Sequence, residues 1–217
     1  MEFHELSHLV QTRRSIRTYR AEAVPEEMLL RAIELATWAP SGGNWQPWQF
    51  WVVQNRGVIE SMADAMDARS RLMASWPESA PWQETADRWI RTGAFFRHAP
   101  VCIAVLVGGY QSVADKLLAA RGAVDPQATE MLEWRRFGAS RIQTVAGAVM
   151  TLLLGLHQQG LGACWMAGPQ QAKAEIEGIL GVPPEWDFVA LVPVGWPAET
   201  KTGGPRKPLD QTVRFIR

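Results

Sequence analysis

Residues 11–20, "QTRRSIRTYR", gather Arg13, Arg14, Arg17 and Arg20 around Ser15, in a chain of 217 residues whose 22 Lys and Arg balance 22 Asp and Glu. Guanidinium forks beside a hydroxyl suit the oxygens of a phosphate or carboxylate. Read alone, the stretch is a solvated basic turn, a nucleic-acid contact or a cradle for a small phosphate. A neutral chain lacks the broad basic footprint that binding a phosphate backbone requires, so no nucleic acid is expected.

Three further stretches carry polar or glycine-rich signals. "APSGGNWQPW", residues 39–48, joins a helix end to a strand. Its glycines allow close backbone approach, and Ser41, Asn44 and Gln46 offer donors and acceptors that a plain connection does not need. A nucleophile elbow does not fit, since the serine is not flanked by glycines two residues away on both sides. "GLGACWMAGPQ", residues 160–170, has its glycines between a helix and a following strand, the reverse of the order in a dinucleotide fingerprint. "GGPRKPLDQTV", residues 203–213, sets Arg206 and Lys207 between prolines in a stiffened tail suited to an anion. His4 and His8 share a helix face, but no third ligand accompanies them, and no metal is expected. With only Cys102 and Cys164, a disulfide framework or structural zinc site is not expected either.

The elements that position these stretches follow from periodicity. A helix is predicted over about 3–12, and a second begins at Pro25, with Glu26 and Glu27 in its first turn and Met28, Leu29, Ala32, Ile33 and Ala36 at helical spacing. "WQFWVVQ", "VCIAVLV" and "FVALVPVGW" read as strands. "VIESMADAMDARSRLMASW" reads as helix, and "WPESAPWQETADRW" as a loop before another. The longest helical signal runs from about Pro126 to Gln159, roughly 50 Å as one helix. Its middle, "VAGAVMTLLLGL", is apolar nearly all round, which predicts cover on more than one side and a dimer interface there. Helices interspersed with strands without regular βαβ alternation predict an α+β layer fold, in a single domain over 1–217.

A hydrophobic share of 47% is too high for a disordered chain. "MEFHELSHLV" lacks the pattern of a signal peptide and no apolar run reaches the roughly 20 residues that span a bilayer, so a cytoplasmic protein without a membrane is expected. Eleven tryptophans imply that some line a pocket or interface.

"RRSIR", "APSGGNWQPW", "GLGACWMAG" and "PRKPL", taken in order, resemble the nitroreductase family of flavin enzymes over nearly the whole chain. The resemblance implies an α+β fold, with a central mostly antiparallel sheet flanked by helices, and an intertwined homodimer carrying FMN at its interface. By that similarity Arg13, Arg14 and Ser15 hold the FMN phosphate and ribityl end, helped by Arg206 and Lys207. Arg17 lies near the pyrimidine edge of the isoalloxazine. Pro40, Ser41, Gly42, Asn44 and Gln46 reach the FMN from the partner subunit, and the backbone of Ala167 and Gly168 faces the flavin. NADH or NADPH and then the oxidant bind in turn over one flavin face, so no catalytic side chain is expected.

Within the family, the flavin-destroying, benzimidazole-forming branch typically has an aspartate where this chain has Ser15, and the dehalogenating branch uses a lid of Glu, Tyr and Lys that is not evident here. The resemblance therefore implies reduction of nitroaromatics, nitroaromatic acids, quinones or similar small aromatic substrates. Trp76, Trp82 and Trp89 are candidates to stack on such a substrate, and Arg69, Arg71, Arg88 and Arg91 to bind its carboxylate. The alternatives are an FMN-dependent oxidase of an organic substrate and a flavin-binding module without turnover.

Overall fold

The computed structural model describes residues 2–217. The three predicted apolar runs form strands β1 (Trp48–Val53), β2 (Val101–Gly108) and β4 (Trp186–Gly195), joined at one edge by the short β3 (Gly162–Ala163). All pairings are antiparallel, in the order β1-β2-β4-β3. Every residue of β2 is buried, because both faces of this central strand are covered. Val101, Ile103, Val105 and Val107 join one core with helices α2 (Glu26–Ala36) and α7 (Ser140–Gln158). Cys102, Ala104 and Leu106 join a second core with α3 (Arg56–Ala74) and α8 (Lys173–Leu180). The sheet is thus the middle layer of three, and Cys102 is a core thiol whose ionisation burial opposes.

Local signals set the helix ends. Pro25 immediately precedes α2, with Glu26 and Glu27 in the first turn where the helix dipole favours anions. The Asn55 side chain caps α3 by accepting from the N–H groups of Gly57 and Val58 at 2.9 and 3.2 Å. On α7, a Cβ at Gly155 would stand 3.3 Å from the Ala32 backbone, so glycine lets α7 lie closely on α2.

Two expectations are corrected. The run from Pro126 to Gln158 is not one helix: Ala139 adopts φ +45°, separating α6 (Pro126–Gly138) from α7. By length and composition the whole run would pass as a membrane span, yet Ala148, Val149, Leu152 and Leu156 of α7 are buried in the α2 core. Large exposed apolar side chains lie instead on α1 (Phe3–Thr12), on the pair formed by α5 (Val113–Arg121) and α6, and in the tail: Phe3, Val113, Trp134, Phe137, Phe215 and Ile216. The stretch "WPESAPWQETADRW" is likewise only half loop, a tight turn over Pro77–Trp82 that leads directly into α4 (Gln83–Gly93).

Candidate functional site

The chain leaves α1 at Arg13 and runs beside β3, where the Ile16 N–H donates to the Ala163 carbonyl at 3.0 Å and Ser15 pairs in parallel with Ala163. A Cβ at Gly162 would come within 2.8 Å of Ile16 Cγ2, so this approach requires glycine. The buried Tyr19 hydroxyl donates to the Ile16 carbonyl at 2.6 Å and fixes the far end of the turn. Burial, first among several causes, pushes the Tyr19 phenol up and keeps it neutral.

Within this frame Arg14 donates from Nη1 to the carbonyls of Gln11 and Arg13, at 2.6 and 2.7 Å. The Nε groups of Arg13 and Arg14 are buried and have no hydrogen-bond partner. Two orphaned cationic donors on adjacent residues are costly unless an acceptor completes them. The Gly203 backbone passes so close to the Arg14 guanidinium that a Cβ there would overlap it. A phosphate fits this donor set, and FMN carries one.

Two residues that motif reading missed complete the cradle. Lys201 Nζ donates to the Ser15 carbonyl at 3.3 Å and pairs with Glu199 at 3.0 Å. Glu199 in turn accepts from the backbone N–H groups of Arg17 and Thr18, at 2.6 and 3.1 Å. Burial opposes its ionisation, but the bonds from Arg17, Lys201 and Thr18 outweigh that and hold its carboxyl below the ordinary value. The sequence signal was faint: a Glu and a Lys two apart beside "GGPRK". His157, at the end of α7, lies 3.0 Å from the Thr12 hydroxyl. Burial first, and then Arg13, Arg14 and His8, lower its pKa.

Arg17 is exposed, with its guanidinium carbon 5.7 Å from the centroid of the Phe95 ring. Ala167 and Gly168 follow Met166, which bridges to Leu191 along the sheet edge, and both are solvent-exposed. Arg206 turns back on the Gly204 carbonyl at 3.3 Å, and both it and Lys207 are exposed in the tail. Neither is brought to the Arg13–Arg14 pair by a hydrogen bond.

The 39–47 loop lies elsewhere. Pro47 accepts from Gly108 at the end of β2, and Trp45 Nε1 donates to the Gly109 carbonyl at 3.1 Å. Ser15 adjoins β3, which pairs through Val194 to Val101 at the start of β2. The eight-residue β2 therefore separates the two groups by about 23 Å. Pro40, Ser41, Gly42, Asn44 and Gln46 share this loop, and three of them are bonded together: Ser41 Oγ accepts from the Gln46 N–H at 3.2 Å, and Gln46 Nε2 donates to Asn44 Oδ1 at 3.2 Å. Gly43, Asn44 and Gln46 all have φ between 51 and 60°, and a Cβ at Gly42 would stand 3.2 Å from the Tyr110 hydroxyl. Left-handed backbone at Asn44 and Gln46 is strain that a simple connection has no need to hold.

On the helical side, Trp76, Trp82 and Trp89 line an apolar cleft of about 280 Å³ with Met73 and Ala86. Arg69 is not free for a ligand, since it pairs with Glu175. Arg71, Arg88 and Arg91 have no salt-bridge partner among the described residues.

The chain belongs to the nitroreductase family, whose model matches residues 10–196. It is 34% identical to the 5,6-dimethylbenzimidazole synthase of Rhodospirillum rubrum over 199 residues, 89% of this chain and 82% of that one. With an NADH dehydrogenase of Thermus thermophilus it shares 30% over 203 residues, 93% and 91% of the two chains. Its fold matches a BluB-like flavoprotein from Clostridium difficile with a TM-score of 0.87, at 24% identity and full coverage of both chains. A nitroreductase-type protein from Desulfovibrio desulfuricans, solved in complex with FMN, matches with a TM-score of 0.67 at 25% identity, over 100% and 99% of the two chains. The expected α+β nitroreductase-like fold with an antiparallel sheet is the fold found.

Proposed function

We propose that the protein is an FMN-dependent NAD(P)H oxidoreductase that reduces electron-poor aromatic substrates, nitroaromatics or quinones, in a homodimer whose two sites are each built from both chains. The observation that carries this reading is the pair of buried, unpartnered Arg13 and Arg14 Nε donors, placed where a flavin phosphate would complete them. Bound FMN would supply hydride acceptance and donation. The chain's own part is positional: Arg13, Arg14 and Lys201 would neutralise the phosphate, and Glu199 would hold the Arg17 backbone so that its guanidinium stands beside developing negative charge.

The 23 Å between the cradle and the 39–47 loop supports the dimer, since one chain cannot bring both to one flavin. The exposed apolar residues of α1, α5, α6 and the tail supply the surface for association. Likeness to an FMN-bound nitroreductase and to an NADH dehydrogenase agrees with the cofactors.

The test is anaerobic addition of NADH and then NADPH to FMN-loaded protein, followed at the flavin's visible band, with 4-nitrobenzoate, a quinone and air added afterwards. Bleaching by nucleotide and recovery on adding an acceptor is expected. A band that persists with both nucleotides contradicts the reading and favours an oxidase or a flavin-binding module.

One observation favours a second reading, synthesis of 5,6-dimethylbenzimidazole: the 34% identity to the Rhodospirillum rubrum synthase. Ser15, in place of that branch's typical aspartate, stands against it. Detection of dimethylbenzimidazole by mass spectrometry after aerating the reduced protein would decide for the second reading.

A further inference from the structure

The arginines of this chain sort into two populations. Nine are held in salt bridges: Arg20, Arg31, Arg56, Arg69, Arg97, Arg121, Arg135, Arg136 and Arg141. Those without a carboxylate partner among the described residues fall in only three places: Arg13, Arg14 and Arg17 at the cradle, Arg206, Arg214 and Arg217 in the tail, and Arg71, Arg88 and Arg91 on α3 and α4. Arg13 and Arg14 of the first group are explained by a phosphate. The third has no such explanation.

Arg71 and Arg91 both line a cleft of about 530 Å³, whose wall also includes Arg17, Phe95 and His98. Asp67 and Arg97 line it too, but they pair with each other at 3.0 Å, and Arg97 is further engaged by Glu60 and Asp64. Arg97 is thus fully engaged by carboxylates and is not available to a ligand. Three arginines of the wall remain without a carboxylate partner among the described residues, one of them over an aromatic ring. Unpaired like charges converging on one concavity repel each other, and an anion relieves that repulsion while accepting their hydrogen bonds.

We infer that this cleft docks the anionic group, carboxylate or phosphate, of a substrate whose reacting part lies beyond Arg17. This inference rests on the proposed reductase reading only in calling the ligand a substrate; the binding itself does not depend on turnover. The oxidant is one source of such a group, as in an aromatic acid, and the 2′-phosphate of NADPH is the other.

The experiment measures binding to FMN-loaded protein by calorimetry with two matched pairs of probes, 4-nitrobenzoate against methyl 4-nitrobenzoate and NADPH against NADH. Arg71→Gln with Arg91→Gln is expected to weaken the charged member of at least one pair by about tenfold or more, the loss of one to two charge-assisted hydrogen bonds. The neutral ester should change less than twofold. Arg88→Gln, which removes the same charge outside the cleft, should leave both pairs as they were. Loss confined to nitrobenzoate names the oxidant as the source, and loss confined to NADPH names the reductant. Unchanged discrimination in both pairs, with FMN content and thermal stability retained, overturns the inference. Because binding is read without catalysis, a protein that binds nitrobenzoate through Arg71 and Arg91 but is not reduced by either nucleotide refutes the reductase reading and leaves the cleft standing.

Discussion

The two ends of β2 carry opposite kinds of construction. At its start, the Arg13–Ser15 turn is rich in charge and deficient in acceptors: Lys201 and Glu199 steady the backbone while two buried Nε groups have no partner. At its end, the 39–47 loop is satisfied internally, with Ser41, Asn44 and Gln46 bonded within the loop, but its backbone is strained at Asn44 and Gln46. One end presents donors that its own chain does not satisfy. The other holds a shape that its own connection does not require. On the proposed reading each is half of a site, and the contrast supports a flavin shared by two subunits.

The contrast is broken most forcefully at the charged end. Replacing Arg13 and Arg14 by Ala removes two charge-assisted bonds of about 1.5–3 kcal/mol each, which should lower FMN affinity by on the order of a hundredfold or more. The ratio of flavin to protein absorbance after purification checks this, and full retention of flavin would place the phosphate elsewhere. A smaller effect is expected at the other end. Gly43 has φ +60°, so Gly43→Ala should cost about 1 kcal/mol, read as a lower Tm. An unchanged Tm would mean that the turn is not held in that form.

The smallest effect sharpens the electrostatics. Burial and the nearby Arg13 and Arg14 charges depress the pKa of His157. A group whose folded pKa is depressed contributes stability above its unfolded value, about 6.5 for His, and that stability is lost as pH falls through the folded pKa. A bound phosphate dianion would offset the arginines. An NMR titration should therefore show the His157 pKa rising when flavin-free protein is loaded with FMN, and no change would separate His157 from the phosphate.

Much of this was legible beforehand for local reasons. Pro25 with two glutamates marks a helix start in the chain's own neighbourhood, and the apolar runs at 48–54, 101–107 and 188–196 are short enough to be strands. Ala139 was not legible, because alanine has no preference for left-handed backbone. The Glu199–Lys201 tie was equally hidden, since it acts across more than 180 residues and each partner alone resembles ordinary surface charge. The four motifs were readable as polar stretches, but their division between the two ends of β2 depends on sheet order, which periodicity does not encode.

The most direct test of a shared site is complementation. Arg13→Ala/Arg14→Ala chains and Ser41→Ala/Asn44→Ala chains, each expected to be poor in flavin, are unfolded together, refolded with FMN and assayed for bound flavin. If each site takes its cradle from one chain and its loop from the other, random pairing leaves about a quarter of all sites intact, and flavin binding recovers to that level. If both halves came from the same chain, every site would carry a lesion, and the mixture would bind no more flavin than the two variants refolded separately.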